Sequence, residues 1–173
     1  KIQTLIANGR IKGDDAALVL SRYGNFSNQL KSKIDRLLDI ASTVRKQVEP
    51  LYVDTKSSGN IGVALTQIQD VPTELKAYSK ISYIADNGSD LGYVLRTSNP
   101  QFTPLETWRL HDTESKILEE IASKLGNNTG ATGAVQLFTE RQPCASCSSI
   151  IAQFRNKYPN IELTVVDANL NSY

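Results

Sequence analysis

The spacing of the apolar residues changes near residue 60, and this change limits the folds that the chain can adopt. Up to Pro50, the apolar residues recur three and four positions apart, as they do along one face of a long amphipathic helix. From Ile61 onward, they alternate with small or polar residues, which is typical of a β-strand. The pattern therefore predicts a helical N-terminal region over residues 1–58 and a separate domain over residues 59–173.

The second region alternates between strand and helix patterns. Strands are predicted over residues 61–66, 75–84, 91–95, 134–139 and 161–166. Helices are predicted over residues 112–125 and 143–158. The first two strands are expected to form a hairpin, and a hairpin followed by helix, strand, helix and strand favours an α/β layered domain.

The composition excludes several classes of protein. The chain has 40% hydrophobic and 21% charged residues, a net charge of +1, and only short apolar runs, so we expect no membrane-spanning segment. Two cysteines cannot build a disulfide scaffold. Residues 1–60 hold ten basic and six acidic side chains, whereas residues 61–173 hold nine basic and twelve acidic side chains. A basic excess, which would indicate nucleic-acid binding, is therefore confined to the N-terminal part.

The two cysteines, Cys144 and Cys147, lie in the sequence Pro-Cys-Ala-Ser-Cys, which begins at Pro143 at the start of a predicted helix. The positive end of a helix dipole favours thiolates at this position. A redox dithiol and a metal site both use this arrangement, and two buried structural cysteines are the third interpretation. A thioredoxin-like redox fold has further strands and a helix after the motif, and the 26 residues beyond Cys147 suffice only for the rest of one helix and one strand. The metal site is therefore favoured, and the redox dithiol stays the alternative.

A metal site at these cysteines needs further ligands. A structural zinc site takes four protein ligands, whereas a catalytic site takes three and keeps one position open. The single histidine of the chain lies in the segment His111-Asp112-Thr113-Glu114, at the start of the preceding predicted helix. The sequence therefore offers a ligand and an acid at one helix start and two thiolates at the next.

These two segments resemble the signature of the cytidine-deaminase superfamily. That signature has a zinc ligand, one residue and then Glu at one helix start, and Pro-Cys-x-x-Cys at the next. Residues 112–166 are similar to the deaminase toxin domains found at the C-termini of large bacterial polymorphic toxins. The resemblance implies a three-layer α/β/α sandwich with a mixed sheet, preceded by an α-helical N-terminal region.

The resemblance also implies roles for individual residues. Cys144, Cys147 and Asp112 would hold Zn²⁺, and Glu114 would be the catalytic acid and base. His111 is the competing third ligand. It lies one residue further from Glu114 than the signature's ligand does, and one residue along a helix changes the direction of a side chain by about 100°. Asp112 has the family's spacing to Glu114, and Asp occurs at this place in similar toxins. Asp112 is also a good helix N-cap, which would account for it without a metal.

The substrate implied by the resemblance is cytosine in nucleic acid, converted to uracil by zinc-dependent hydrolysis, with single-stranded DNA as the first expectation. We expect Trp108 to stack on a base, or alternatively to pack in the core, and Arg141 to contact a phosphate. The excess of acidic residues after residue 60 gives poor support for duplex binding. A deaminase of free nucleosides or nucleotides and a thioredoxin-like redox protein are the alternatives.

A delivered toxin implies partners and a place of action. We expect secretion as part of a larger toxin, action in the cytoplasm of competing bacteria, and a cognate immunity protein in the producer. The chain contains no methionine, as expected for a C-terminal piece of a longer polypeptide.

Overall fold

A four-stranded mixed sheet forms the centre of the computed structural model, which describes residues 13–52, 59–83 and 91–173. Its strands are β1 (Ile61–Gln67), β2 (Glu74–Tyr78), β3 (Gly133–Thr139) and β4 (Ile161–Asp167). The spatial order is β2-β1-β3-β4. Strand β1 pairs antiparallel with both β2 and β3, and β3 pairs parallel with β4. The predicted hairpin is therefore confirmed.

Four α-helices accompany the sheet in the described part of the chain. They are α1 (Gly13–Asn25), α2 (Asn28–Val48), α3 (Thr113–Leu125) and α4 (Ala145–Lys157). Their ends follow from local chemistry. The Ser27 hydroxyl caps α2 by accepting from the Leu30 amide at 3.2 Å. Helix α3 ends at Gly126, which adopts a positive φ of 55°. None of the described helices combines the length and apolar character needed to cross a membrane.

The two faces of the sheet are covered by different helices. On one face, Val63 and Phe138 pack with residues of α1 and α2 such as Leu37. On the other face, Ala64 and Leu137 pack with residues of α3 and α4. Successive side chains of a strand point to opposite faces, so each strand contributes to both cores. The predicted three-layer α/β/α sandwich with a mixed sheet is confirmed.

The segment after β2 differs from its prediction. The apolar pattern of residues 91–95 predicts a strand, but no strand forms there. The Val94 amide donates one hydrogen bond to the Lys76 carbonyl at 2.7 Å, beside the edge strand. Tyr93 is buried and its neighbours Leu91 and Leu95 pack against the core on the α2 side, so the pattern reflects burial without a ladder of hydrogen bonds.

Helix α3 begins in close contact with β1, and this contact depends on a glycine. A Cβ placed on Gly62 would lie 2.7 Å from the Thr113 Cβ, closer than real Cβ contacts come. The absence of a side chain at Gly62 therefore lets the first turn of α3 rest on the start of β1.

We expect Gly62→Ala to lower the free energy of unfolding by about 1–3 kcal/mol, the usual cost of overpacking a core, because α3 must move away from β1. Gly24→Ala is the matched control. Gly24 lies within α1 with nothing within 4 Å of an added Cβ, so alanine there should be neutral or stabilising. Urea unfolding of both variants provides the comparison. Equal stabilities would contradict the close packing of α3 on β1.

Candidate metal site and buried carboxylate

Two helices begin at the same end of the sheet. Strand β3 ends at Thr139, which pairs with Gly62 at the start of β1. Asp112 is the N-cap of α3 and Cys144 is the N-cap of α4. Because parallel strand–helix units bring strand ends and helix starts together, the side chains of both helix starts converge there.

Asp112, Cys144 and Cys147 form the cluster at this end of the sheet. The Asp112 Oδ2 atom lies 3.2 Å from the Cys147 sulfur and 3.6 Å from the Cys144 sulfur. The two sulfurs are 3.5 Å apart, and both cysteines are free. One ligand atom from each residue lies within 4.8 Å of the others, so the three can hold a metal ion.

The Asp112 side chain does not cap its helix. Asp112 occupies the N-cap position of α3 with extended backbone angles, but its carboxylate makes no capping hydrogen bond. It faces the two sulfurs instead, and the Arg109 guanidinium lies 3.4 Å from its Oδ2 atom. Capping therefore does not account for an aspartate at this place.

The cluster gathers negative charge in a partly buried space. Burial first, and then the neighbouring acids Glu114, Asp112 and Cys144, raise the pKa of the Cys147 thiol well above its ordinary value. The Cys147 amide lies 3.4 Å from the Cys144 sulfur, so the start of α4 also faces this sulfur. Two thiols and a carboxylate are ligands that zinc prefers, and a divalent cation would relieve the crowding of acids.

His111 lies beside the cluster with its ring engaged elsewhere. Its Nδ1 atom is 2.8 Å from the Ser82 hydroxyl, and its Nε2 atom is 3.4 Å from an Arg96 nitrogen. Arg96 can only donate, so this contact favours the tautomer in which Nε2 accepts and Nδ1 carries the proton. The Tyr83 ring meets the imidazole edge to face, at 5.9 Å between ring centroids. The structure thus brings Asp112, and not His111, to the two sulfurs.

Glu114 lies in the first turn of α3 and is 2% exposed. Thr113 donates to its Oε2 atom at 2.9 Å, and Thr139 donates to its Oε1 atom at 3.0 Å. Burial raises the pKa of Glu114, and the hydrogen bonds from the two threonines oppose that rise. A buried carboxylate therefore stands next to the cluster with both oxygens held.

The two residues predicted to contact substrate lie on the surface. Trp108 is 57% exposed, so it does not pack in the core. The Arg109 guanidinium carbon stacks 3.7 Å from the centroid of the indole. Arg141 is exposed and lies in the segment that leads from β3 to Cys144.

Arg109, Asn60 and Thr139 also join the site, although the sequence analysis assigned them no role. Arg109 stands three residues before Asp112, a spacing that could have suggested an ion pair. Asn60 and Thr139 lie in segments far apart in the chain and meet only through the pairing of β1 with β3. No sequence spacing could have revealed that contact.

The fold and the cluster define an α/β protein of the cytidine-deaminase-like superfamily. A model of the toxin-deaminase family, described as the BURPS668_1122 family of deaminases, matches residues 46–169. The match covers well over half of the chain, and the chain therefore belongs to this family of deaminase toxin domains. Neither the curated proteins nor the solved structures gave a significant match.

We expect zinc to stabilise the metal-free chain, by about 2.7 kcal/mol when free zinc is about 100-fold above its Kd. Asp112→Ala should weaken zinc binding more than about 100-fold, because even outer-shell partners of a ligand contribute 10–100-fold. His111→Ala, the neighbouring control, should bind zinc as the wild type does. Competition with a chromogenic chelator measures all three affinities. Full affinity in Asp112→Ala with loss in His111→Ala would assign the third ligand to His111.

Proposed function

We propose that this chain is a zinc-dependent deaminase that hydrolyses cytosine to uracil in nucleic acid, with single-stranded DNA as its first substrate. The observation that carries the proposal is the cluster of Asp112, Cys144 and Cys147 beside the buried Glu114 carboxylate, in a chain of a deaminase family. Family membership favours this function over a thioredoxin-like dithiol, the other chemistry open to Cys-x-x-Cys.

In this proposal, Asp112, Cys144 and Cys147 are the zinc ligands. Zinc bound by three protein ligands supplies Lewis acidity, which makes water a competent nucleophile near neutral pH. The carboxylate of Asp112 replaces the more common histidine, so three negatively charged ligands would surround the ion. This donor set makes a weaker Lewis acid than one containing a neutral imidazole.

Glu114 is the proposed general acid and base. It accepts a proton from the attacking water and delivers it to the ring nitrogen of the base. It then takes the proton of the hydroxyl group that the attack leaves on the ring carbon and passes it to the amino group, which leaves as ammonia while the carbonyl of uracil forms. Its exclusion from water supports this role, because burial raises the pKa of Glu114 and thereby makes its protonated form more accessible.

Recognition of nucleic acid is supported by the surface next to the cluster. Trp108 offers an exposed aromatic ring, and Arg109 links that ring to Asp112 by contacting both. Exposed aromatic rings beside arginine are the usual contacts of unpaired bases. Residues 61–173 carry an excess of acidic side chains, which favours a single strand over the higher charge density of a duplex. Arg141 is the proposed phosphate contact.

The biological setting is also a proposal. Membership in a toxin family supports delivery into competing bacteria, as part of a larger secreted polypeptide, and action in the cytoplasm of the target cell. A cell that produces such an enzyme must protect the cytosines of its own nucleic acid from deamination. We therefore propose a cognate immunity protein as partner.

We expect Glu114→Gln to abolish ammonia release and uracil formation while the fold and zinc content are kept. The amide retains the shape of the carboxylate but cannot accept a proton, and general acid–base catalysis contributes about 10²–10⁴-fold to such reactions. Glu120→Gln is the matched control, since Glu120 lies on the same helix in a surface ion pair with Lys124. Uracil is measured in single- and double-stranded DNA and RNA. Undiminished activity in Glu114→Gln would exclude the proposed role.

We expect Trp108→Ala to raise KM for a single-stranded oligonucleotide about tenfold or more, because stacking on an aromatic ring contributes about 1–3 kcal/mol per base. The KM for free cytidine should change less. Leu105→Ala is the control, as Leu105 is another large, exposed apolar residue three positions earlier. If wild type and Trp108→Ala both act on free cytidine and neither acts on oligonucleotides, the substrate is a free nucleoside.

A further inference from the structure

The side-chain amide of Asn60 connects the starts of β1 and α3 with the end of β3. Its Nδ2 atom lies 2.9 Å from the Thr113 hydroxyl oxygen and 2.9 Å from the Thr139 hydroxyl oxygen. The backbone of Asn60 is held as well, because its backbone N–H donates to the Ser79 hydroxyl at 2.8 Å. Contacts of both the backbone and the side chain thus fix the position of the side-chain amide.

The two threonines each contact a different oxygen of Glu114, at 2.9 Å for Thr113 and 3.0 Å for Thr139. A hydroxyl has a single proton to donate, and an amide nitrogen of Asn has two. When the two protons of Asn60 Nδ2 go to the two hydroxyl oxygens, the proton of each hydroxyl points to Glu114. All four hydrogen bonds then run in one direction, from the amide through the hydroxyls to the carboxylate.

The opposite orientation of the amide would reverse this order. With Oδ1 facing the threonines, both hydroxyls would donate to Asn60, and Glu114 would lose both donors. In the observed orientation, Oδ1 of Asn60 is buried without a hydrogen-bond partner. An unpaired buried acceptor is unfavourable. The hydrogen bonds that Nδ2 makes to the two threonines offset this cost.

We propose that Asn60 is a positioning residue for Glu114: its amide orients the hydroxyls of Thr113 and Thr139 so that both donate to the carboxylate. The catalytic meaning of this inference rests on the proposed function, in which Glu114 moves protons. Asn60 itself touches neither the cluster nor a substrate in this scheme. It acts by holding both carboxylate oxygens in one orientation beside Asp112, Cys144 and Cys147.

The test is Asn60→Ala, examined first without any activity measurement. In the metal-free wild-type chain, NMR should detect the hydroxyl protons of Thr113 and Thr139, because buried, hydrogen-bonded hydroxyls exchange slowly with water. In Asn60→Ala these two protons should exchange faster, whereas zinc content should be retained and the melting temperature should fall by only a few degrees, roughly the cost of the two lost hydrogen bonds. Unchanged exchange at both threonines would overturn the inference.

The kinetic arm of the test uses the zinc-loaded enzyme. Asn60→Ala should lower kcat about ten- to hundredfold, the loss expected when hydrogen bonds to a charged group disappear, with KM nearly unchanged. Thr139→Val should have a similar effect, and the double variant should lose less than the product of the two losses, because both changes act through the same carboxylate. Multiplicative losses would contradict the shared path.

Gln136→Ala is the matched control. Gln136 is also a buried amide with an unpaired side-chain oxygen, but it lies in β3 and lines the surface next to Lys33 and Arg36 of α2. Its kcat should equal that of the wild type. If the wild type releases no ammonia from any cytosine substrate, the proposed function fails, and the exchange rates of the two hydroxyl protons still decide the inference about Asn60.

Discussion

The contact between the first turn of α3 and the start of β1 positions the other parts of the site. Gly62 has no side chain, so Thr113 rests directly on the strand, and every residue from Thr113 to Lys116 is buried although a helix start usually faces water. The buried Lys116 donates to the carbonyls of Tyr78 and Ile81, which fixes α3 against the end of β2. With the helix held in this way, Asp112 must face the sulfurs of the neighbouring helix start.

The packing of α3 on β1 brings several acidic groups together in a partly buried place, where their mutual repulsion does not stabilise the fold. Asp112, Glu114, Cys144 and Cys147 stand together, and burial with mutual repulsion raises the pKa of Cys147. The Arg109 guanidinium contacts Asp112 from the solvent side and offsets part of the charge. Perturbed acids cluster where chemistry is performed more often than where stability is the only requirement. The arrangement is one that a bound divalent cation would stabilise.

Sequence reasoning could find the parts of this protein that depend on local patterns. The alternation that begins at Ile61 and the helix start at Cys144 are local signals, and both elements form as predicted. The preference for Asp112 over His111 came from the resemblance, because Asp112 has the spacing to Glu114 of the deaminase signature, and the structure brings Asp112 to the sulfurs. The contact of Asn60 with Thr139 could not be predicted, because it arises from strand pairing between distant segments. Burial without pairing likewise made residues 91–95 look like a strand.

Helix α2 contributes to the site although it precedes the sheet. Arg45 forms an ion pair with Glu140, at the end of β3, and donates to the Gly59 carbonyl at 3.3 Å, directly before Asn60. One guanidinium therefore ties together the two segments that lead to Asn60 and to Cys144. The division of the chain at residue 58 stays a prediction. The buried face of α2 supplies much of the core on its side of the sheet, so the orientation of the site depends physically on a helix that lies almost entirely before the matched residues 46–169.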